Sequence, residues 1–286
     1  MAAASWIWRL ARHFGVQRGY DPADVAIAHY RLTPPGWPDS LNLRIVMLSD
    51  IHACEPWLGA EALENSVARA NALNPDLVLL LGDYQEGPRG GSAVPADVWA
   101  RILAQLQAPL GIHGVLGNHD YPLKGRRRLA VERPEPLGAL IATGIGVLIN
   151  RAIRLSWQGQ SFWLAGLGDQ VAEFSDGRRL ADLPGTLAQV DDEAPILLLA
   201  HEPDIFPQVP QRVALTLSGH LHGGQIRPFG YAPIVPSRFG QRYLHGHIIE
   251  DDRHLIVGAG LGYSGLPLRL GAPPEIVLIE LGKGQP

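Results

Sequence analysis

Histidines and acidic residues recur in this sequence at the ends of short apolar runs. The stretch LTLSGHLHGG (215–224) ends one such run with His220 and His222, which are one residue apart and have glycine on both sides. A single histidine after a strand is usually a hydrogen-bonded loop residue, but the repetition indicates one shared metal site. The other runs end at Asp50 and His52, at Asp83, at Asn118 with His119 and Asp120, and at His201.

The mixture of imidazoles and carboxylates indicates which metal ions such a site would bind. It suits Mn²⁺, Zn²⁺ or Fe, whereas Ca²⁺ takes oxygen ligands. The one cysteine, Cys54, excludes a structural zinc site made of cysteines. The ligands are too many for one ion and about right for two. Two ions need a bridging ligand, and Asp83 is the best candidate because it is the only acid at the end of its run.

The elements that carry these residues alternate between strands and helices in the first half of the chain. Apolar residues at helical spacing predict helices at 60–73 and 95–107, between three apolar strands. Strands that are apolar on both sides predict a buried, largely parallel sheet, and ligands bind beyond the carboxyl ends of such strands. The second half consists of further strands, with a turn near Gly159. The predicted fold class is α/β, with two β-rich halves packed face to face and helices outside.

Composition and charge limit the class of protein. The chain has 286 residues, a net charge of −4 and an isoelectric point near 6.2, so it carries no nucleic-acid-binding signature. A single cysteine is typical of a reducing compartment, and we expect a cytoplasmic protein. We predict an N-terminal extension at residues 1–40 and a single domain at residues 41–286.

The N-terminal extension contains an amphipathic segment with two alternative roles. Ile7, Leu10 and Phe14 fall at helical spacing, and arginines lie on the other side. The segment is too short and too charged to span a bilayer. A helix at residues 5–14 would therefore either pack on the domain or make a peripheral contact with the inner face of the cytoplasmic membrane.

The five polar clusters, taken in order, resemble the pattern of the calcineurin-like metallophosphoesterase superfamily. The matching motifs are D-I-H (50–52), G-D-Y (82–84), G-N-H-D (117–120), His201 and G-H-L-H (219–222). The later stretches SGHLHGGQIRP and GLGYSGLPLRLGAPPEIVLIEL resemble the tail of its bacterial YkuE/YaeI-type phosphodiesterase branch. The resemblance implies a four-layer α-β-β-α sandwich with the metal site at the carboxyl ends of the strands.

The resemblance also implies a role for each polar residue in the clusters. His119 would contact the phosphate or protonate the leaving oxygen, and Asp120 would orient its ring. The remaining residues would be metal ligands: Asp50, His52 and His222 for one ion, Asn118, His201 and His220 for the other, and Asp83 as the bridge between them.

The function implied by the resemblance is hydrolysis of a phosphodiester, in which a hydroxide activated by two divalent ions attacks phosphorus with the help of His119. The substrate stays open between a small phosphodiester and a lipid-linked pyrophosphate. The second substrate would make the chain a UDP-2,3-diacylglucosamine-type pyrophosphate hydrolase of lipid A synthesis. A remote alternative is a non-catalytic scaffold with the same fold. The arginines at 126–128 belong either to a solvated loop or to a cationic rim over an anionic substrate.

Overall fold

The computed structural model describes residues 16–18, 21 and 24–283, so the helix expected at residues 5–14 lies outside the described part of the chain. Within that part, the α-helices are α1 Ala60–Ala72, α2 Ala96–Leu103, α3 Glu135–Ala142 and α4 Leu183–Leu187. The strands are β1 Val16–Arg18, β2 Ala26–Leu32, β3 Leu43–Leu48, β4 Cys54–Glu55, β5 Leu77–Leu80, β6 Ser92–Ala93, β7 Ile112–Gly114, β8 Leu123–Lys124, β9 Arg127–Arg128, β10 Gly146–Val147, β11 Arg151–Trp157, β12 Gln160–Gly166, β13 Ile196–Leu199, β14 Val213–Ser218, β15 Gly246–Glu250, β16 Arg253–Val257, β17 Leu268–Leu270 and β18 Glu275–Leu281.

The first large sheet has six strands in the order β10-β7-β5-β3-β18-β2. Strands β3, β5, β7 and β10 are parallel to one another, whereas β18 runs antiparallel to β3 and parallel to β2. Helices α1 and α2 are the crossovers that return the chain between the parallel strands. As predicted, β3, β5 and β7 therefore present their carboxyl ends at the same edge of the sheet.

The second large sheet has six strands in the order β11-β12-β13-β14-β16-β15. Its four central strands are parallel, and each outer strand pairs antiparallel with its neighbour. The hairpin of β11 and β12 turns at Gln158 and Gly159, whose φ angles of +51° and +78° are those of a two-residue type I′ turn. The carboxyl ends of β13 and β14 lie side by side in the middle of this sheet.

The two sheets pack face to face and share an apolar core, which confirms the four-layer sandwich. Leu43, Ile45 and Met47 of β3 belong to the same buried cluster as Leu197 of β13 and Leu217 of β14. A second buried cluster lies between the first sheet and helices α1 to α3, and a third lies between the second sheet, α4 and the 3₁₀ helix Pro203–Gln208. The two β faces and the two outer layers therefore hold the strand ends in fixed relative positions.

The segment before residue 41 contributes a strand to the first sheet. Strand β2 pairs with β18 along its whole length, from Ala26 opposite Glu275 to Leu32 opposite Leu281. The boundary at residue 40 stays a prediction, and this strand lies on the N-terminal side of it. Among the described residues, no helix is long and apolar enough to cross a bilayer.

We expect the substitution Phe162→Ala to lower the free energy of unfolding by about 3–5 kcal/mol, because it leaves a cavity between the sheets. Phe162 of β12 is fully buried and packs on Trp37 with 5.6 Å between ring centroids. Denaturant unfolding followed by fluorescence would measure the change. The matched control is Leu123→Ala, at an exposed position, which should change stability by about 0.5 kcal/mol or less.

Candidate metal centre

The polar clusters of both sheets converge where their parallel strands end. Asp50 and His52 follow β3, Asp83 follows β5, and Asn118 opens the 3₁₀ turn Asn118–Asp120 after β7. From the second sheet, His201 follows β13, and His220 and His222 follow β14. Two groups of side chains each bring their ligand atoms within 4.8 Å of one another. One group consists of Asp50, His52 and His222, and the other of Asp83, His201 and His220.

Most of the residues in these groups have an unusual backbone conformation. Asp50, His52, Asp83, His220 and His222 have φ angles between +46° and +70°. This left-handed region is uncommon for residues other than glycine and costs on the order of 1 kcal/mol or more for each residue. Such turns aim side chains from strand ends inward at one point, and the neighbouring structure must sustain the strain.

Glycines next to the ligands allow the loops to approach one another closely. A Cβ atom on Gly117 would lie 2.6 Å from Cε1 of His201, and one on Gly219 would lie 2.6 Å from Oδ2 of Asp50. Neither site has room for a side chain. The loop of the first sheet and the loop of the second can therefore meet only because these positions are glycine.

Asp83 lies between the two groups. Its Oδ2 atom is 3.2 Å from Nε2 of His201 and 3.6 Å from Nε2 of His52, which belong to different groups. Its Oδ1 atom accepts a hydrogen bond of 2.8 Å from the backbone N–H of His119. A carboxylate whose Oδ2 atom faces both groups would be placed to act as a ligand shared by two neighbouring ions.

Backbone carbonyls fix the imidazole rings of three candidate ligands. Nδ1 of His52 lies 2.9 Å from the Glu86 carbonyl, and Nδ1 of His201 lies 2.5 Å from the Leu81 carbonyl. Because a carbonyl only accepts, these Nδ1 atoms carry a proton, and the Nε2 atoms face the cluster. The ring of His220 is held by its other nitrogen. Nε2 lies 3.2 Å from the Pro236 carbonyl, so Nδ1 is the atom that can bind a metal ion.

The protonation states of three of the histidines and of Asp83 also suit metal binding. Burial lowers the pKa values of His52, His220 and His222, and that of His220 falls to about 4. These imidazoles are neutral at pH 7 and offer a lone pair. Burial alone would raise the pKa of Asp83. The charges of His201 and His119 outweigh this effect and lower the pKa of Asp83 well below its usual range.

Asn118 lies on the side of Asp83 and His220, with which it lines one cavity. Its Oδ1 atom is buried and has no hydrogen-bond partner among the described residues. A buried carbonyl oxygen without a partner is costly unless a cation or water satisfies it. The donor atoms present, imidazole nitrogens with carboxylate and amide oxygens, fit a pair of transition-metal ions and offer no thiolate.

Glu86, which the sequence analysis did not assign to the site, holds the ring of His119. Oε2 of Glu86 lies 2.8 Å from Nδ1 of His119, and Arg128 binds both oxygens of the same carboxylate at 2.6 and 2.9 Å. Burial would lower the pKa of His119, but the charges of Asp83 and Glu86 outweigh it and raise the pKa. Burial would likewise raise the pKa of Glu86, but hydrogen bonds from His119 and Arg128 lower it to about 2.

The carboxylate of Asp120, which was expected to orient the His119 ring, has other hydrogen-bond partners. It accepts hydrogen bonds of 2.8 to 2.9 Å from the backbone N–H groups of Asp83, Tyr84 and Gly117. It therefore fixes the two loops that carry Asp83 and Asn118, whereas Glu86 is the carboxylate hydrogen-bonded to the His119 ring. Arg128 is neither in a solvated loop nor on a free cationic rim, because its guanidinium is buried against Glu86.

Arg269 is a second residue that the sequence analysis did not assign. Its side chain is fully buried and donates hydrogen bonds to the carbonyls of Ala259, Gly262 and Ala272 at 2.6 to 3.1 Å. The guanidinium also lies 3.4 Å from Nδ1 of His222. The backbone N–H of Gly262 donates to the Asp50 carbonyl at 2.7 Å. Arg269 therefore ties together the loops that carry two candidate ligands of one group.

Comparisons with known proteins agree with this geometry. Residues 43–224 match the family model described as calcineurin-like phosphoesterase. The chain is 31% identical over 271 residues to the uncharacterized metallophosphoesterase YkuE of Bacillus subtilis, covering 94% of this chain and 89% of that protein. It is 30% identical over 264 residues to the phosphodiesterase YaeI of Escherichia coli, covering 86% and 89%. A zebrafish (Danio rerio) protein named transmembrane protein with metallophosphoesterase domain is 31% identical over 85% of this chain, which spans 54% of its length.

We expect Glu86→Gln to lower the pKa of His119, because the substitution removes a negative charge that favours the protonated ring while Arg128 remains. A raised pKa keeps the ring protonated to higher pH, so the variant should lose the proton at lower pH than the wild type. Histidine ring resonances, assigned with a His119→Gln variant, would report the titration by NMR. Equal pKa values in the two proteins would contradict the role given to Glu86.

We expect Arg269→Lys to lower the free energy of unfolding by roughly 2–4 kcal/mol, because an ammonium group cannot reach the carbonyls that the guanidinium bridges. Metal binding by the group that contains His222 should weaken with it. Denaturant unfolding and metal titration would measure the two effects. The control is Arg178→Lys, whose pair with Asp176 is exposed and screened by solvent, so that the unfolding midpoint should stay at the wild-type value. An unchanged unfolding midpoint in Arg269→Lys would contradict the assignment.

Proposed function

We propose that this chain, which belongs to the calcineurin-like phosphoesterase family, is a phosphodiesterase that works with two divalent metal ions. Asp50, His52 and His222 would hold one ion, and Asn118, His201 and His220 the other. Asp83 would bridge the two. When bound, the ions supply charge that polarises the phosphate and lower the pKa of a water molecule to make the nucleophile.

One observation carries the proposal above the others. Two groups of buried ligand atoms lie side by side, and the carboxylate of Asp83 faces a histidine of each group. A structural role for so many inward-facing polar atoms would require them to satisfy one another by hydrogen bonds. The partnerless Oδ1 of Asn118 argues that they are arranged for cations instead.

His119 is the residue best placed to donate a proton. It lines the cavity beside the metal centre, and its ring lies 5.0 Å from the ring of His52 between centroids. Its raised pKa keeps a larger share of the ring protonated near neutral pH, as a general acid requires. Glu86 and Arg128 contact Nδ1 of the ring, so Nε2 can face the leaving oxygen of an ester.

The space around the centre favours a diester over a monoester. Cavities of about 470 and 490 Å³ adjoin the centre, and His220 and Pro236 line both. A phosphate at the metal centre therefore has room for a substituent in each cavity. The name of the relative YaeI, a phosphodiesterase, is consistent with this preference.

The test combines hydrolysis of bis-p-nitrophenyl phosphate in Mn²⁺ with metal analysis of variants. We expect a chelator to abolish hydrolysis in the wild type. His119→Ala should keep its metal content and lose about 10²- to 10⁴-fold in turnover, the usual contribution of a general acid. Asp83→Asn should lose both metal content and activity, because it weakens both sites. His247→Ala, which replaces a histidine outside the centre, is the matched control and should resemble the wild type.

Two outcomes would contradict the proposal. Loss of metal in His119→Ala would make His119 a ligand. A wild-type protein that binds metal but hydrolyses no phosphoester would favour a binding scaffold over an enzyme.

A further inference from the structure

We propose that the cavity beside the metal centre is a subsite for an apolar group, and that the substrate is an amphiphilic phosphoester with an alkyl or acyl chain next to the scissile phosphate. The inference rests on the proposed phosphoesterase function. The cavity of about 470 Å³ has His119, His220 and His222 on its polar wall. The apolar wall of the cavity, by which we mean its apolar lining residues, consists of Ile226, Pro233, Ile234, Pro236 and Leu266.

The apolar wall remains uncovered in the folded protein. Ile234 is 82% exposed and Leu266 is 58% exposed, and Phe229 and Tyr231 of the same segment as Ile234 are also exposed. Exposed apolar side chains scattered singly are ordinary, but a group beside a cavity marks a binding surface. These four residues are among ten large exposed apolar side chains in the described part of the chain, and the cavity gathers two of them on its own wall.

Hydrogen bonds hold the apolar wall in place. The side chain of Gln225 donates to the carbonyls of Ser264 and Leu266 at 2.9 and 3.0 Å and accepts from the Ser264 N–H at 2.9 Å. The backbone of Gln225 and Arg227 also pairs with Leu270. The segments that carry Ile226 and Leu266 are thus joined, so the cavity is formed before a ligand arrives. Preformed apolar cavities with a few polar groups at one end are typical of ligand sites.

The second cavity, of about 490 Å³, has the opposite character. It is lined by Gln170, Arg179, Glu202, Asp204, Gln208 and Arg238, together with a few apolar residues. His220 and Pro236 belong to both cavities, so a phosphate bound at the metal centre would adjoin one apolar cavity and one polar cavity. This asymmetry predicts a substrate with an apolar arm and a polar arm, and it orients that substrate in the site.

The test compares p-nitrophenyl alkyl phosphodiesters that differ only in the alkyl chain. We expect kcat/KM to rise about twofold for each added methylene, which is less than the gain that complete burial of a methylene would give. The hexyl ester should therefore be cleaved at least tenfold better than the methyl ester. In the double variant Ile234→Asn with Leu266→Asn, the ratio of hexyl to methyl kcat/KM should fall below about threefold. The control Ile141→Asn, on α3 at an equally exposed apolar position (59%), should keep the wild-type ratio.

A binding measurement separates failure of this inference from failure of the proposed function. We expect calorimetry with Mn²⁺ present to give at least tenfold tighter binding of hexylphosphonate than of methylphosphonate, with the difference lost in the double variant. If the protein cleaves no ester but shows this difference, the subsite stands and the proposed activity fails. If both esters are cleaved equally, or both phosphonates bind equally, or the double variant keeps the wild-type ratios, the subsite inference is overturned.

Discussion

The buried carboxylate of Asp83 is the group on which the arrangement of the molecule depends. It comes from the first sheet, yet Oδ2 lies 3.2 Å from a histidine of the second sheet. A carboxylate removed from water is strongly unfavourable unless charges and hydrogen bonds surround it. The two sheets must therefore pack in the one register that sets the end of β13 against the end of β5. The shared core of leucines, isoleucines and valines makes that register stable.

The second consequence concerns how the protein distributes strain. Five candidate ligands adopt left-handed conformations, at a cost on the order of 1 kcal/mol each, so the ends of the strands are among the least favourable parts of the chain taken alone. These conformations persist because hydrogen bonds from the surrounding structure hold the loops in place. Asp120 holds three backbone N–H groups, and Arg269 holds the carbonyls of the loops behind Asp50 and His222. Buried polar groups here serve as fixed points for loops rather than as reactive groups.

The sequence predicted the strands and the residues at their ends because both signals are local. An apolar run followed by a histidine or an aspartate is readable without knowing what lies opposite. The partners of those residues were not readable in this way. Glu86 lies three residues after Asp83, but its role depends on Arg128, which comes 42 residues after Glu86 and which the sequence places in a solvated loop or on a cationic rim. Arg269 sits in a three-residue strand that contains no acidic residue, and its burial depends on carbonyls that lie outside that strand. Strand β2 lies within the predicted N-terminal extension, and its pairing with the distant strand β18 is likewise not readable from local sequence.

The position of β18 has a consequence for the order in which the protein is made. This strand comes after all the other described strands, yet it lies inside the first sheet between β3 and β2. During synthesis, β3 therefore waits for its antiparallel neighbour until nearly the whole described chain has left the ribosome. Pairings between such distant segments are slow to form because a large loop must close first. The turn that carries Asp50 and His52 directly follows β3, so the candidate metal centre takes its final geometry only after β18 has been made.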